Sequence, residues 1–379
     1  MSHRLARRTL FVAVAAAAFA LCLAAPGTAR AARLLTGSAD DGGLDGALAT
    51  ATANGESDLI IVTPGGSGMG ALTIDGHDDG PFHTNIQANG CTATTLDFTT
   101  RDVNFTFIGF LFTGAVTLDS DEHGSVGFLN CTFDSTVDIP GDFNQTGFRF
   151  NSCVFNGTVT IGAAGALVHN TQFVESLFDG SKLFLDDAGH NTLVGRCRFA
   201  GVANGPAANP FEQDAGFNVM ILSSIFSGDG SDNLVQVDGG TCDVRGSHFT
   251  SGDNGIVFES GGNRAYRNAI GGSTALGMAT NGIVCNGDGN WLVSNNITFC
   301  GDDGVQDNGF GDNLFGNTCS NCGDFGFEMN SDGTWLQRNF GAGNGGNFTR
   351  GGASYGTANG GDLFGGVPDD EYKMTNGTR

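Results

Sequence analysis

The chain has 379 residues, with 40 acidic and 17 basic side chains and a formal net charge of −23. So large a negative charge argues against nucleic acid or an anionic membrane surface as a partner, because both would repel it. Glycine (63) and phenylalanine (31) are abundant, whereas tryptophan (2) and tyrosine (3) are scarce. Many glycines and few aromatic hydroxyls are typical of a turn-rich all-β protein with a closely packed apolar interior.

The N-terminus has the pattern of an export signal. The pair Arg7-Arg8 precedes an alanine-rich apolar run over residues 10–25, and residues 29–31 form a small-x-small cleavage motif. The apolar run is too short for a membrane-spanning helix, so we expect no stable membrane span once residues 1–31 are removed. The mature protein is therefore expected to be exported, to the medium, the periplasm or the cell surface.

Residues 32–57 are predicted to form an N-terminal cap. Within them, the stretch 40–54 places Leu44, Ala47, Leu48 and Ala51 on one face of a helix. A short amphipathic helix of this kind covers the open end of a stack of strands, where main-chain groups otherwise lack partners.

The stretch from residue 254 to 339 repeats one pattern four times. Its aligned glycines, Gly255, Gly282, Gly304 and Gly326, lie 27, 22 and 22 residues apart. Each copy alternates apolar and polar residues with period two and then breaks at glycine, asparagine or aspartate, as short strands joined by turns do. This period predicts a solenoid of stacked coils over residues 58–344, followed by a glycine- and asparagine-rich flexible tail over 345–379.

Two columns of residues are expected inside the coils. The first pairs a phenylalanine with a small residue two positions earlier, as a narrow interior requires, at Phe133, Phe155, Phe173, Phe199, Phe226 and Phe249. The second is a series of asparagines, several of which we expect to point inward and to hydrogen-bond from coil to coil: Asn130, Asn151, Asn170, Asn268, Asn295, Asn317 and Asn339.

Glycine-led apolar strands, asparagine-rich turns and a period near 22 resemble the right-handed parallel β-helix repeats of the pectate-lyase-like superfamily. The resemblance covers residues 58–339, and it implies an all-β, right-handed parallel β-helix with a short N-terminal capping helix. It implies much less about function, because the same repeats serve lyases, hydrolases, epimerases, adhesins and structural proteins.

Acidic residues in the last repeats are the first candidate site. Paired aspartates act as acid and base in the galacturonan hydrolases of the superfamily, but the repeat register assigns Asp302 and Asp303 to ordinary turn positions. The alternative is a loose Ca²⁺ site made of carboxylates, the ligands that this cation prefers: Asp302, Asp303, Asp307, Asp324 and Glu328. Asp307 departs from its column, which is otherwise apolar.

The second candidate is a basic cluster of Arg245, His248, Arg264 and Arg267, which is unusual on so acidic a chain. The spacing of 22 residues predicts that Arg245 and Arg267 stack. The resemblance implies a catalytic role, because lyases of the superfamily use arginine or lysine as the base that abstracts a proton beside a Ca²⁺-neutralised uronate. The competing interpretation is that these arginines form ion pairs with surface acids.

Ten cysteines occur in the chain, and Cys22 falls in the signal. Cys131 and Cys153, one coil apart, are interpreted as buried thiols rather than as a bridge. For Cys300, Cys319 and Cys322, a disulfide and free thiols both remain open.

Two functional hypotheses follow. The first is a non-catalytic exported or cell-surface protein whose coils offer a rigid face to an extracellular polysaccharide or a cell-surface component. The alternative is a polysaccharide lyase or a related uronan-acting enzyme.

Overall fold

The computed structural model describes residues 33–36, 41–54, 57–62, 68–74, 83–88, 91–98, 104–118, 126–140, 145–162, 168–186, 189–201, 209–350, 355–357 and 359–361. The predicted signal at 1–31 lies outside these residues. Within the described residues, no helix reaches the length and hydropathy that crossing a bilayer requires.

The architecture is a parallel β-solenoid, so the predicted all-β parallel β-helix is confirmed. Each coil contributes one strand to each of three long parallel sheets, called here sheets 1, 2 and 3 in the order in which a coil visits them. Sheet 1 has 15 strands, at Arg33–Thr36, Leu59–Val62, Thr84–Ala88, Phe105–Ile108, Val126–Leu129, Arg149–Asn151, Gln172–Val174, Leu193–Gly195, Val219–Leu222, Cys242–Arg245, Arg264–Tyr266, Trp291–Val293, Asn313–Phe315, Trp335–Gln337 and Tyr355–Thr357.

Sheets 2 and 3 have 13 strands each. Those of sheet 2 are Thr92–Ala93, Leu111–Phe112, Thr132–Phe133, Val154–Phe155, Leu177–Asp179, Arg198–Ala200, Ile225–Ser227, His248–Thr250, Ala269–Ile270, Asn296–Thr298, Thr318–Ser320, Phe340–Ala342 and Gly360–Gly361. Those of sheet 3 are Ala71–Ile74, Thr95–Phe98, Val116–Thr117, Val137–Ile139, Val159–Ile161, Leu183–Leu185, Phe211–Gln213, Val235–Val237, Ile256–Phe258, Ile283–Cys285, Val305–Asp307, Phe325–Met329 and Gly346–Arg350. A short fourth sheet joins Gln145–Thr146, Val168–His169 and Gly189–His190.

The helix predicted near the N-terminus is confirmed as α1, Asp41–Asn54. It packs against the first strands of sheets 1 and 3. Its inner face carries Leu44, Leu48 and Ala51, whose side chains are fully buried. An apolar helix face therefore covers the interior at the N-terminal end of the stack.

Sheets 1 and 2 meet at a sharp corner where one residue per coil adopts a left-handed conformation. The corner residues include Arg196 (φ 53°), Gly246 (φ 59°), Arg267 (φ 53°), Gly316 (φ 65°) and Arg338 (φ 56°). A left-handed residue turns the chain within one position, although side chains other than glycine adopt it at some cost. The corner is thus short, and its side chains project beside the outer face of sheet 1.

The phenylalanine column inside the coils is confirmed with one correction. In sheet 2, the rings of successive coils stack with centroids 4.3–5.0 Å apart, in the order Phe133, Phe155, Phe178 and Phe199. Phe173 lies instead in sheet 1, stacked on Phe150 at 4.9 Å. The prediction placed it in the wrong column because this coil has a second phenylalanine five residues later.

The prediction that several asparagines point inward is confirmed, and these asparagines belong to the last coils. The side chains of Asn268, Asn295, Asn317 and Asn339 are buried, and each donates its amide to the side-chain oxygen of the next coil's asparagine, at 2.9–3.0 Å from Asn268 to Asn339. We call this column the asparagine ladder. The earlier asparagines Asn130, Asn151 and Asn170 are exposed, because two of them occupy left-handed positions that turn the side chain outward.

Strand pairing continues beyond residue 344, where the β-helix was predicted to end. Gly346–Arg350, Tyr355–Thr357 and Gly360–Gly361 add one strand to each of the three sheets. Residues 362–379 lie outside the described residues.

Candidate functional site

One exposed surface combines most of the unusual side chains, and it is the outer side of sheet 1 in the coils from residue 264 to 337. In each strand the central residue points inward and its two neighbours point outward. Strand pairing aligns the outward residues in two columns: Arg264, Trp291, Asn313 and Trp335 in the first, and Tyr266, Val293, Phe315 and Gln337 in the second.

The aromatic side chains alternate between these two columns, so that each coil carries one. We call Tyr266, Trp291, Phe315 and Trp335 the aromatic face. Trp291 is 51% exposed, Trp335 45% and Phe315 37%. Neighbouring coils in a parallel sheet lie about 4.8 Å apart, so aromatic residues of one column recur about every 10 Å. Large exposed aromatic side chains that are aligned on a rigid sheet mark a binding surface.

Two arginines at the left-handed corner extend the aromatic face. The guanidinium of Arg267 lies 4.7 Å from the ring centroid of Tyr266, and that of Arg338 lies 5.7 Å from the ring of Phe315. Both distances are within the range of cation–π attraction. The aromatic face therefore has hydrogen-bond donors along one edge, next to its apolar rings.

At the N-terminal end of the aromatic face is a cavity of about 370 Å³. Asp243, Arg245, Arg264, Tyr266 and Trp291 line it. The Nε atom of Arg245 donates to Oδ1 of Asp243 at 2.6 Å, and its Nη2 atom donates to Oδ2 of the same carboxylate. This hydrogen bonding and the negative charge of Asp243 raise the pKa of Arg245 above its usual value, so Arg245 stays protonated.

The four residues predicted as a basic cluster do not converge. Arg245 and Arg264 lie on the outer side of sheet 1, Arg267 lies at the corner, and His248 lies on the outer side of sheet 2. The predicted stacking of Arg245 on Arg267 is wrong, because strand pairing places Arg245 beside Tyr266. This coil has 21 residues rather than 22, so Gly246 is the corner residue that corresponds to Arg267.

The predicted acidic site is partly assembled at the corner between sheets 2 and 3. Carboxylate oxygens of Asp302, Asp303 and Asp324 lie within 4.8 Å of one another. Burial raises the pKa of Asp303 to about 7, and the nearby carboxylates of Glu328 and Asp302 add to the effect. Glu328 thus contacts this group, although it lies on the outer side of sheet 3, where its carboxylate accepts a hydrogen bond from Gln306.

Asp307 does not join this corner. It points into the interior, where it is fully buried together with Asp312 and Cys285, and its Oδ2 atom accepts a hydrogen bond from Thr334. Burial raises the pKa of Asp307. Burial, followed by the charge of Asp307 and a hydrogen bond with it, raises the pKa of Asp312 to about 8. Among the described residues, Asp312 Oδ2 is buried without a hydrogen-bond partner.

Sequence reasoning missed two groups of residues. The aromatic face was visible in the aligned repeats as RAY, WLV, NLF and WLQ, each with an apolar centre and one flanking aromatic residue. The second group, Glu212, Asp214 and Asp238, brings three carboxylates within 4.8 Å on sheet 3, with Lys182 paired to Glu212 at 2.6 Å. It had no local signal, because strand pairing assembles it from residues up to 26 positions apart.

Comparison with known proteins finds solved structures of low sequence identity. No protein-family model matches the sequence, and no curated protein matches it significantly. A PL6-family polysaccharide lyase from Pseudopedobacter saltans is 11% identical, with a TM-score of 0.49, over 91% of this chain and 96% of that one. The A-module of a mannuronan C-5 epimerase from Azotobacter vinelandii is 12% identical, with a TM-score of 0.46, over 87% and 99%.

The Streptococcus pneumoniae surface protein and adhesin PfbA is 11% identical, with a TM-score of 0.20, over 85% of this chain and 96% of that one. The solenoid itself follows from the strand pairing described above. Identities of 11–12% extend the likeness no further than the fold.

Proposed function

We propose that this chain is an exported or cell-surface β-helix protein that binds an extended polysaccharide along the aromatic face without chemical change. The observation that carries the proposal is the aromatic side chain supplied by every coil from Tyr266 to Trp335. Sugar rings present flat faces of C–H groups, and an aromatic ring with one face in solvent is their usual partner.

The spacing of the rings favours a linear chain that lies parallel to the solenoid axis. Trp291 and Trp335 stand two coils apart in one column, a separation of about 10 Å. That is close to the length of two pyranose rings in an extended chain. Asn313 lies between them, with amide groups suited to sugar hydroxyls, and Arg264 extends the same column by one coil.

Several contacts favour binding over catalysis. Arg245 is held as a cation by Asp243, which removes it as a base. His248 lies on a different sheet, and the carboxylates of Asp302, Asp303 and Asp324 lie at the corner between sheets 2 and 3. A general base must reach the proton that it abstracts, and His248 and these three carboxylates lie away from the aromatic face.

Binding is tested with purified protein and a panel of soluble polysaccharides, both neutral and uronic-acid-containing, by affinity electrophoresis and calorimetry. Trp291→Ala and Trp335→Ala are expected to weaken binding about tenfold or more, as truncation of central aromatic residues in an interface does. Phe340→Ala is the matched control, because Phe340 is 46% exposed on sheet 2. Equal losses from Trp335→Ala and Phe340→Ala would disprove the aromatic face as the binding site.

The alternative, a uronan lyase, is favoured by the arginines and the cavity at the end of the aromatic face. It is tested on pectate, alginate and related uronans with added Ca²⁺, by the absorbance of the unsaturated product. Product formation that is lost in Arg264→Ala or Arg267→Ala would replace the binding proposal, and the binding proposal requires no product from any of these polymers.

A divalent cation such as Ca²⁺ is proposed at Asp302, Asp303 and Asp324, with Glu328 beside them. Three carboxylates within 4.8 Å provide the oxygen ligands that Ca²⁺ takes. The expected result is calorimetric binding of Ca²⁺ that Asp324→Asn weakens and that Asp288→Asn, on another corner, leaves unchanged.

Export is tested by N-terminal sequencing of the protein from the medium, which should begin near residue 32.

A further inference from the structure

Two thiols in the C-terminal coils occupy equivalent positions one above the other. Cys300 and Cys322 each follow a sheet 2 strand, at the start of the corner that leads to sheet 3. The N–H of Gly323 donates to the carbonyl of Cys300 at 2.9 Å, and the N–H of Gly345 donates to that of Cys322 at 3.3 Å. The two cysteines are therefore in register on adjacent coils.

The distance between the two positions suits a disulfide. Adjacent strands of a parallel sheet lie about 4.8 Å apart, which is inside the range of about 4.4–6.8 Å for the Cα atoms of bonded cysteines. The interaction with the other thiol raises the pKa of Cys300 and lowers that of Cys322.

A second pair, Cys131 and Cys153, also occupies equivalent positions on adjacent coils and differs in two respects. The thiol of Cys131 donates to the carbonyl of Phe107 at 3.4 Å, and that of Cys153 donates to the carbonyl of Phe128 at 3.4 Å. Both side chains are 1% exposed, against 4% for both Cys300 and Cys322. The thiols of Cys131 and Cys153 are thus directed at main-chain acceptors at 3.4 Å, whereas the contact of Cys322 with the carbonyl of Ser320 is longer, at 3.8 Å.

We propose that Cys300 and Cys322 are an oxidisable pair that peroxide converts into a disulfide between adjacent coils. The sulfur of one cysteine attacks a peroxide oxygen, the O–O bond breaks, and a sulfenic acid and water form. The second thiol then displaces the sulfenic hydroxyl as water, and the S–S bond forms. Two thiols and one hydrogen peroxide give one disulfide and two waters, so both electrons pass to the peroxide.

The disulfide would connect coils that support the aromatic face. The closed loop runs from residue 300 to 322 and contains the sheet 1 strand Asn313–Phe315. A cross-link of this length restricts the unfolded chain, and here it also prevents the two coils from separating. Oxidation would therefore make the C-terminal coils more resistant to unfolding, whether or not the aromatic face binds a polysaccharide.

The test is mild hydrogen peroxide treatment of the full chain, followed by denaturation, alkylation and peptide mapping by mass spectrometry. The expected product is a Cys300–Cys322 cross-linked peptide, two hydrogens lighter than the sum of its parts, with Cys131 and Cys153 still alkylated. The oxidised protein should unfold at a higher temperature than the reduced protein, and a thiol reductant should reverse the increase.

Two variants keep the result interpretable. Cys300→Ser should abolish the cross-link, and Cys131→Ser should leave it intact. The proposal is overturned if Cys300 and Cys322 remain alkylated after peroxide, if Cys322 pairs with Cys319 instead, or if the Cys131–Cys153 pair oxidises equally fast.

Discussion

The first and last coils of the solenoid use aromatic residues in opposite ways. Between residues 105 and 249 the phenylalanines of sheets 1 and 2 point inward and stack ring on ring. Between residues 264 and 337 the inward positions of these sheets hold Ala265, Leu292, Leu314 and Leu336 or Ile270, Ile297 and Cys319, and the aromatic residues of sheet 1 point outward.

The corner between sheets 1 and 2 changes at the same place. In the first coils its inward position holds Cys131, Cys153, Ser176, Cys197, Ser224 and Ser247, and in the last it holds the asparagine ladder. Stacked rings stabilise the first region by burial of apolar surface, whereas the last region gains buried amide hydrogen bonds and keeps the aromatic rings of sheet 1 on the surface. One backbone thus supports a region with rings stacked in its interior and a region with rings exposed on sheet 1, and the following substitutions test that division.

The largest effect is expected from Phe155→Ala. Phe155 is fully buried, and its ring contacts those of Phe133 at 5.0 Å and Phe178 at 4.8 Å. Loss of a buried phenylalanine lowers the free energy of unfolding by about 3–5 kcal/mol, measured by urea denaturation. Phe340→Ala, on the outer side of the same sheet, is the control. A loss below about 1 kcal/mol would mean that the first coils do not depend on their stacked rings.

An intermediate effect is expected from Asn295→Ala in the asparagine ladder. The Asn295 side chain accepts from the N–H of Asn268 at 3.0 Å and donates to the carbonyl of Ala265 at 2.9 Å. Each buried group left without a partner lowers the free energy of unfolding by about 1–3 kcal/mol. The exposed neighbour Asn296→Ala is the matched control, and equal losses from both variants would contradict a role for the buried amides.

A smaller effect, with a definite sign, is expected from Asp312→Asn. Because burial and Asp307 raise the pKa of Asp312 to about 8, the folded protein holds a proton that the unfolded chain releases near its usual pKa of about 3.9. This contribution to stability is complete below that lower pKa and is lost as the pH rises through about 8. Near pH 9 the variant should be more stable than the wild type, by on the order of 1 kcal/mol.

The measurement for Asp312→Asn is the free energy of unfolding in urea at about pH 5 and about pH 9. The difference between variant and wild type should grow with pH, because only the wild type releases the proton of the Asp312 carboxyl group. Asp179→Asn, at an exposed position of sheet 2, is the control. Parallel curves for Asp312→Asn and the wild type would refute the raised pKa of Asp312.

The smallest effect on stability is expected from Trp335→Ala, within about 0.5 kcal/mol, because the side chain is largely in solvent. Thermal unfolding measures the stability of this variant, and affinity electrophoresis measures its polysaccharide binding. We expect a large loss of binding together with almost no loss of stability. A large loss of stability would indicate that the ring supports the coil rather than a ligand.

The sequence predicted the fold well because the solenoid repeats a local pattern. Glycines at 22-residue intervals and strands of period two determine coil length, sheet number and the inward residues, as Asn295 and Asn317 illustrate. The repeat also assigned Asp302 and Asp303 to turn positions. The N–H of Asp302 donates to the carbonyl of Thr280, and the carbonyl of Asp303 accepts from the N–H of Gly282, one coil earlier.

The candidate site was harder to predict because it depends on single-residue differences between coils. A 21-residue coil moved Arg267 from the strand column of Arg245 to the corner, and a second phenylalanine at position 178 displaced Phe173 from its expected sheet. The aromatic face is a property of four coils together: Tyr266 and Phe315 in one column alternate with Trp291 and Trp335 in the other, and no single repeat reveals it.

The asparagine ladder also has a consequence for how this chain can change in length. Asn295 and Asn317 are equivalent rungs, 22 residues apart, so excision of residues 296–317 would join identical main-chain positions and leave every remaining rung paired. The shortened protein would fold with one coil fewer, but Trp291 and Trp335 would become neighbours in a single column. Deletion of a whole coil therefore affects the interior and the surface differently. The interior keeps its coil-to-coil pairing, whereas the exposed rings no longer alternate between the two columns.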